Sequence, residues 1–328
     1  MIGFLVRRLL LFIPTVIVIS IITFLLIQAP PGDYISAYAS QLEASGQEAS
    51  DQLLSALRNR YGLDQPVYVQ YFKWIGGILT RGDFGHSMQW NRPVSDLIWG
   101  RIGWTFAISF VTILFTWLLA FPIGIYSATH QYSPFDYLFT FIGFFGQGIP
   151  DFLLALVLMW IGFSVFQQDV GGLFSEAYRT APWSLAKFKD LLAHLWIPVA
   201  VLSVSGTAGL IRTMRANLLD ELRKPYVVTA RAKGMKEWQL VLKYPVRVAL
   251  NPFVSSIAYV LPQLVSGTTI ISIVLSLPTT GPIQIRSLMS QDMYLAGSLF
   301  LLLSSLTILG TLISDILLAV VDPRIRLN

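Results

Sequence analysis

Residues that could do chemistry are few in this sequence, and they are scattered. His86, His130 and His194 lie far apart, and none has a second ligand at the short spacing that metal sites use. The chain contains no cysteine, which excludes thiol nucleophiles, thiolate metal sites and a disulfide framework. We therefore predict no catalytic residue, no metal site and no membrane-embedded enzyme.

A glycine-rich segment has nearly the spacing of a dinucleotide-binding motif. Its residues Gly143, Gly146 and Gly148 lie inside a long apolar run, where small residues typically let two helices pack closely. No Gly-Lys dipeptide occurs in the chain, so the sequence has no P-loop to cradle ATP phosphates. We predict that this chain binds no cofactor and does not hydrolyse ATP by that route.

Two carboxylates, Asp151 and Asp315, fall within apolar segments. A carboxylate inside a membrane span is a functional candidate by default, and a cation-coupled transporter would need one. Each also has a structural explanation. Asp151 follows Pro150, where a helix can restart and be capped by the carboxylate, and Asp315 is about two helical turns from Asp322, close enough to reach water.

Polar side chains recur along two of the apolar segments. In the segment that starts near residue 102 they share one helical face, because they are three or four residues apart: Thr105, Ser109, Thr112 and Thr116. Such stripes face a bundle interior or a wet cavity, so transport and interhelical hydrogen bonding are equal alternatives. Our candidates for a transport pathway are Thr112, Thr116, Asp151, Gln263, Ser266 and Thr269.

The composition indicates a membrane protein. Of 328 residues, 54% are hydrophobic and 12% are charged, about half the charged fraction of soluble domains, and the mean hydropathy is +0.63. No charged residue occurs between Arg8 and Asp33, between Arg101 and Asp136, or between Arg247 and Arg286. This pattern excludes a soluble enzyme, a disordered chain and a nucleic-acid-binding module, and it makes membrane lipid the chain's surroundings.

Six segments are long and apolar enough to cross a bilayer as helices. They cover residues 9–29, 102–126, 135–166, 191–211, 251–277 and 294–321. The first is too long for the apolar core of a signal peptide and no cleavage pattern follows it, so we expect an uncleaved span. The fold predicted is an all-α integral membrane protein with six transmembrane helices.

The basic residues predict the orientation. Thirteen Lys and Arg lie on one side: two before the first span, nine in residues 212–247 and two after the last span. The two short loops on the other side hold four, three of them in 166–191 and the fourth being Arg286. Because short cytoplasmic loops carry the basic excess, both termini are expected in the cytoplasm of a multi-pass protein of the cell membrane.

The segment from 30 to 101 is expected to form a helical cap on the external surface. One helix should begin at Asp51 and end at Gly62, and a second should follow Pro66. The glycines of 76–77 and 81–85 indicate turns. The second helix places large side chains at helical spacing, which we interpret as the core of the cap: Tyr68, Tyr71, Phe72, Ile75 and Leu79.

The most informative segment is the loop between the fourth and fifth spans, here called the coupling loop (residues 212–250). Pro225 should break one helix and start another that ends at Gly234, and a second short helix, from Lys236 to Tyr244, should be closed by Pro245. Small residues would let a partner protein approach, and exposed cations would pair with its carboxylates. The alternative is that the loop is basic only because it faces the cytoplasm. The candidate docking residues are Thr229, Ala230, Arg231, Ala232, Lys233, Gly234, Met235 and Trp238.

The coupling loop resembles the conserved cytoplasmic loop of ABC importer permeases of the dipeptide/oligopeptide type. Its sequence reads YVVTARAKGM and then LKYPVRVALNPF. Further anchors of that family occur in the same order along the whole chain. They are Arg7-Arg8, Pro31-Gly32-Asp33, Tyr61 to Pro66 with Gln70-Tyr71, Gly82 to Gly85 with Ser87, Pro93-Val94, and Asp322 to Arg326.

This resemblance implies a non-catalytic subunit that forms half of a peptide pathway. It implies a heterodimer with a second permease subunit, two ATPase subunits that hold ATP and Mg²⁺ and bind the coupling loop, and an extracytoplasmic substrate-binding protein. The corresponding regions are an N-terminal transmembrane helix (1–29), the cap (30–101) and a five-helix permease core (102–328). Relatives of the same type carry oligosaccharides, opines or metal chelates, and an ion-coupled secondary transporter is the competing class.

Overall fold

The structure, a computed structural model, describes residues 2–29, 31–45, 50–253 and 269–321, and it is built mainly of helices. The first elements are α1 (Ile2–Gln28), α2 (Tyr34–Ala44), α3 (Asp51–Tyr61), α4 (Val67–Arg81), β1 (His86–Ser87) and β2 (Arg92–Pro93). The middle ones are α5 (Val94–Thr129), α6 (Pro134–Gly148), α7 (Asp151–Ser164), α8 (Glu176–Arg179) and α9 (Leu185–Leu222). The last are α10 (Pro225–Ala232), α11 (Glu237–Lys243), α12 (Pro245–Ala249), α13 (Thr269–Val274), α14 (Thr280–Met289) and α15 (Met293–Val321).

Three helices, α1, α5 and α15, are individually long and apolar enough to cross a membrane. Two bent pairs pass the same test if each counts as one span: α6 with α7, and the two parts of α9, Leu185–Val204 and Gly206–Leu222. These five coincide in position with five predicted spans. The remaining predicted span, 251–277, lies mostly outside the described residues, so the count of six stays a prediction.

The third predicted span is not one continuous helix. The axes of α6 and α7 differ by 103°, and Ile149 and Pro150 between them have extended backbone. Proline lacks an N–H group and disfavours helical geometry in the residue before it, which accounts for a break at this point. The interruption predicted near Pro150 is therefore confirmed, and a third span formed by α6 and α7 together stays a prediction.

The chain divides into two compact units, and α5 runs through both. The first unit contains residues 1–104 and 279–328, and the second contains residues 105–278. Helix α5 begins at Val94, eight residues before the span predicted from hydropathy. Its first turns bury Val94, Leu97 and Ile98 against side chains of α14 and α15, so tertiary packing extends the helix beyond its apolar stretch.

In the first unit, local capping residues set the helix boundaries. Asp33 accepts hydrogen bonds from the backbone N–H and the hydroxyl of Ser36, at 2.7 and 2.6 Å, and so caps the N-terminus of α2. Gly62 ends α3 with a left-handed backbone (φ 67°), as predicted. The Pro-Gly-Asp and Tyr-Gly-Leu anchors of the sequence are thus a helix start and a helix stop.

Two expectations for α4 were wrong. Gly76 and Gly77 do not form a turn but lie inside the helix, where the backbone carbonyl of Asp83 packs 3.0 Å from the position of a Gly77 Cβ. The large side chains Tyr68, Phe72 and Leu79 are exposed rather than forming a core. The buried face is the one centred on Trp74, which packs with Phe24 of α1 and Leu301 of α15.

A buried polar joint connects a short β-hairpin to α15. The hairpin pairs His86 with Pro93 and Ser87 with Arg92, a small sheet that the all-α prediction missed. Ser87 donates a hydrogen bond to the Asp292 carboxylate at 2.5 Å, and Asp292 also accepts from the backbone N–H groups of Gln89 and Leu295. Asp292 therefore caps α15 and holds the hairpin at the same time.

In the second unit, glycines let helices pack closely against α9. A Cβ on Gly143 would lie 3.2 Å from the Cβ of Ala208, and one on Gly146 would lie 2.5 Å from a methyl carbon of Val204. These contacts confirm the interpretation of the glycine-rich segment as a helix-packing surface. Gly124 of α5 approaches α9 in the same way.

Candidate functional site

The coupling loop forms three short helices, α10 to α12. α9 ends at Leu222 and α10 starts at Pro225, which confirms the predicted break. Gly234 follows α10 with a left-handed backbone (φ 77°), also as predicted. Pro245 ends α11, but it also opens α12, because proline is favoured in the first turn of a helix.

An ion pair joins α10 to α11. The Arg231 guanidinium contacts both carboxylate oxygens of Glu237, at 3.0 and 2.5 Å. Hydrogen bonding and charge from Arg231 lower the pKa of the Glu237 carboxyl, and the same contact raises the pKa of Arg231. The Arg231 side chain was expected to pair with a carboxylate of a partner protein. In this chain it already forms an ion pair with Glu237.

The three helices are anchored on one apolar core. Val227 and Ala230 of α10, together with Leu240 of α11, are buried against Met214 and Leu218 near the end of α9. Ala230 is only 9% exposed. Its small side chain therefore packs α10 on α9, and the docking role expected for it stays a prediction.

The remaining predicted docking residues form the outward face of the loop. They are exposed, apart from Met235, which is half-buried against the core: Thr229, Arg231, Ala232, Lys233, Gly234 and Trp238. Trp238 is 63% exposed on α11. Exposed aromatic side chains of this kind are typical anchors of protein interfaces.

A tyrosine that the sequence did not single out braces the start of α10. The Tyr226 hydroxyl donates a hydrogen bond to a carboxylate oxygen of Glu221 in α9, at 2.6 Å. Desolvation and this carboxylate raise the pKa of Tyr226 to about 12, so the phenol stays a donor at physiological pH. The bond ties α10 to α9 across the turn at residues 223–224.

The polar stripe of α5 is buried within the chain. Thr112 donates to the carbonyl of Ile108 at 2.8 Å, and a methyl group of Thr116 lies 3.6 Å from the position of a Cβ on Gly206. Thr105 and Ser109 on the same face are also buried. For Thr112 and Thr116 these contacts favour helix packing over lining a pathway.

The other pathway candidates are placed only in part. Asp151 is the first residue of α7, half-buried, and its side chain makes no hydrogen bond to the described part of the chain. Thr269 is the first residue of α13 and is also half-buried. Gln263 and Ser266, and the side chain of Asp315, lie outside the residues that the structure describes. These residues are not brought together into one site.

A charged groove between α6 and α9 was missed by the sequence reasoning. Arg215 of α9 forms a two-bond ion pair with Asp136 of α6, at 3.0 and 2.9 Å. One turn earlier, Arg212 donates to the amide oxygen of Gln147 at 2.7 Å. The pairs join residues that are 79 and 65 positions apart, and no periodicity in one sequence connects positions so distant.

The described residues contain no group of three His, Asp or Glu side chains that could hold a metal ion. What they do contain is a set of bundled apolar helices with a compact, partly exposed helical loop between α9 and α13. Several of these helices are long and apolar enough to cross a membrane, which is the arrangement of a multi-pass membrane protein.

Comparison with known proteins identifies the family. Residues 120–327 match the model of the binding-protein-dependent transport system inner membrane component, and residues 1–109 match the N-terminal model of the same kind of membrane component. Since the first match alone covers more than half of the chain, the protein belongs to this family of inner-membrane permeases.

Relatives align over nearly the whole chain. The chain is 33% identical to the oligopeptide transport system permease protein AppB of Bacillus subtilis, over 99% of this chain and 100% of that protein. It is 30% identical to the glutathione transport system permease protein GsiC of Salmonella typhimurium, with 99% of each covered. It is 29% identical to the oligopeptide transport system permease protein OppB of Haemophilus influenzae, over 99% of this chain and 100% of the relative.

Proposed function

We propose that this chain is one of two permease subunits of an ATP-driven peptide importer. The observation that carries the proposal is the exposed face of the coupling loop, set on a buried core and present in a chain that aligns from end to end with peptide permeases. ATP and Mg²⁺ would be bound by separate ATPase subunits, and this chain would supply half of the pathway without catalysing a reaction.

The ATPase would dock on the face that contains Thr229, Lys233 and Trp238. Two features support force transmission through it. The ion pair between Arg231 and Glu237 makes α10 and α11 one body, and both helices share a core with α9 and with Ala128 at the end of α5. Closure of the ATPases would then move α9 and α5 and switch access from the outside to the inside.

The remaining organisation follows from the same proposal. Six spans would place both termini in the cytoplasm, with the N-terminal helix at 1–29, the external cap at 30–101 and the permease core at 102–328. The cap would face the extracytoplasmic binding protein, and the second permease would complete a heterodimer. Asp151, Gln263, Ser266 and Thr269 remain our candidates for contact with cargo. Thr112 and Thr116 would instead pack the bundle.

The proposal is tested by copurification of the ATPase with Trp238→Ala. Loss of the exposed indole should reduce the ATPase recovered with the tagged permease at least tenfold, since interface tryptophans commonly contribute 2 kcal/mol or more, about a 30-fold change in affinity. Trp99→Ala is the matched control, because Trp99 is similarly exposed (61%) but belongs to the other unit. Equal recovery with both variants would contradict docking on this face.

A further inference from the structure

The groove between α6 and α9 contains a cation, Arg212, that forms no ion pair with a carboxylate of the described residues. It is lined by Phe139, Thr140, Phe144 and Gln147 of α6 and by Arg212 and Arg215 of α9. Arg215 is paired with Asp136, whose side chain is only 4% exposed. Arg212 contacts no carboxylate in the described ranges, and its guanidinium is exposed to the groove.

Arg212 is held in a defined position rather than left mobile. Its Nη2 donates to Gln147 Oε1 at 2.7 Å, and its guanidinium carbon lies 5.2 Å from the centroid of the Phe144 ring. A glutamine oxygen orients the guanidinium without cancelling its charge, and the ring face favours a cation. The remaining N–H donors of Arg212 form no hydrogen bond with the described residues and are available to a ligand.

The two arginines contact different turns of α6. Phe144, under Arg212, is eight residues beyond Asp136, which bonds Arg215, and eight residues correspond to about 12 Å of helix. The exposed aromatic side chains Tyr132 and Tyr137 lie close to Asp136 in the chain. Along α6, the neutralised arginine therefore lies near the start of the helix, and the arginine held by Gln147 lies nearer its end.

Arg212 lies in α9, whose two parts together are long and apolar enough to cross a membrane, and a cation in such a helix is costly in lipid but favourable in a water-filled pathway that carries anionic groups. We propose that Arg212, oriented by Gln147, binds the carboxylate of the peptide as it passes the groove between α6 and α9. The planar guanidinium fork matches a carboxylate with two parallel hydrogen bonds. This inference rests on the proposed function, because it takes a peptide as the cargo.

A lipid phosphate is the other anion with the right chemistry, because anionic headgroups attract exposed cations. Vesicles with and without anionic lipid distinguish this source from the peptide.

The test is peptide uptake by the complete importer in lipid vesicles, with Arg212→Gln, Arg212→Lys and the control Arg223→Gln. Arg223 is an exposed cation after α9, outside the groove. Two cargoes are used, a peptide with a free C-terminal carboxylate and its amidated counterpart, chosen so that the binding protein binds both with similar affinity. For the free acid, Arg212→Gln should lower uptake about 10- to 100-fold, the effect of one charge-assisted contact, and Arg212→Lys less.

For the amidated peptide, the same substitution should change uptake less than threefold, whereas Arg223→Gln should affect the two cargoes to the same extent. Equal losses for the two cargoes would overturn the proposal, because they would indicate a structural role for Arg212. The uptake ratio of wild type to Arg212→Gln should also be the same in vesicles with and without anionic lipid. A ratio that falls to one without anionic lipid would assign the groove to a headgroup instead. No uptake by the wild type of either peptide would contradict the proposed function itself.

Discussion

Arg215 forms an ion pair with the carboxylate of Asp136, whose side chain is buried. The Asp136 side chain accepts two hydrogen bonds from the guanidinium and a third from the backbone N–H of Tyr132. Removing the cation would leave a buried charge without compensation, which typically costs more than the pair contributes. The pair therefore acts chiefly by fixing how α6 packs against α9.

We expect Arg215→Ala to lower the free energy of unfolding by about 3 kcal/mol, because Asp136 would remain buried and unpaired. The double variant Asp136→Asn with Arg215→Gln should recover much of that loss, since it removes both charges. Thermal unfolding of the detergent-solubilised protein measures the stability of the single and the double variant. An unchanged midpoint for Arg215→Ala would show that the carboxylate finds water or another partner.

The joint between Ser87 and Asp292 should be sensitive to pH. Burial raises the pKa of the Asp292 carboxyl above its ordinary value, while hydrogen bonds from Ser87 and from backbone N–H groups oppose that rise. Because the unfolded carboxyl ionises first, stability decreases as the pH rises through the folded pKa. The hydrogen bond from Ser87 limits this decrease by stabilising the ionised form.

Ser87→Ala should therefore destabilise the protein more at pH 8 than at pH 5, by about 1.5–3 kcal/mol at the higher pH. Unfolding midpoints measured at the two pH values give the comparison. Ser298→Ala is the control, because Ser298 is equally buried but bonds only neutral groups, the indole of Trp74 and the carbonyl of Phe84. The same pH dependence in both variants would count against an ionised Asp292.

For single residues, local structural roles could be predicted from the sequence better than contacts with distant residues. The roles of Gly234 and Gly62 could be predicted, because a glycine just after a helical pattern adopts the left-handed backbone that ends a helix. The partners of Arg215 and Asp292 could not be predicted, because they are distant in the sequence and only the tertiary packing brings them into contact. The burial of Ala230 could not be predicted for the same reason, because it depends on which side chains lie opposite in the folded chain.

At the scale of elements, close helix packing depends on a few glycines. Gly124 of α5 is the strictest, since a Cβ there would lie 2.7 Å from the Cβ of Met214 and 3.2 Å from the carbonyl oxygen of Ile211 on α9. The second contact is with backbone, which cannot rotate away. The two helices would have to separate.

Gly124→Ala should consequently destabilise the protein by about 1–3 kcal/mol, the usual cost of overpacking. Gly103→Ala in the same helix is the matched control, because no atom lies within 4 Å of its added Cβ. Its stability should be unchanged or slightly higher, as alanine favours helix. Unfolding midpoints of the two variants test this prediction, and equal losses would contradict the overpacking explanation, because helix propensity alone predicts no loss for either variant.

The positions of the helices could be predicted from hydropathy and from the proline, glycine and capping residues at their ends. Which face of each helix is buried could not be predicted. α3, α10 and α11 begin and end within a residue or two of the predicted points. In α4 only part of the predicted core face is buried: Tyr71 and Ile75 pack against the cluster around Trp74, whereas the other three side chains are exposed. Periodicity of large side chains could not distinguish these faces, since both are apolar.

For the molecule as a whole, the distribution of charge established the class of protein. Long charge-free runs predicted the spans, and the basic excess of residues 212–247 identified the loop that now forms a compact, partly exposed surface. The resemblance to importer permeases is confirmed by matches to the family models over residues 1–109 and 120–327. The cargo could not be predicted from these features, because selectivity depends on few side chains and on partner proteins.

The central claim is that ATP hydrolysis in partner subunits drives peptide passage through this chain. It is tested by uptake of a labelled peptide into vesicles that contain the purified complex, with the binding protein outside. We expect uptake only with Mg²⁺ and ATP inside, none with a non-hydrolysable analogue, and no effect of ionophores. Uptake that continues without ATP and stops when the ion gradients collapse would contradict the account and indicate an ion-coupled transporter.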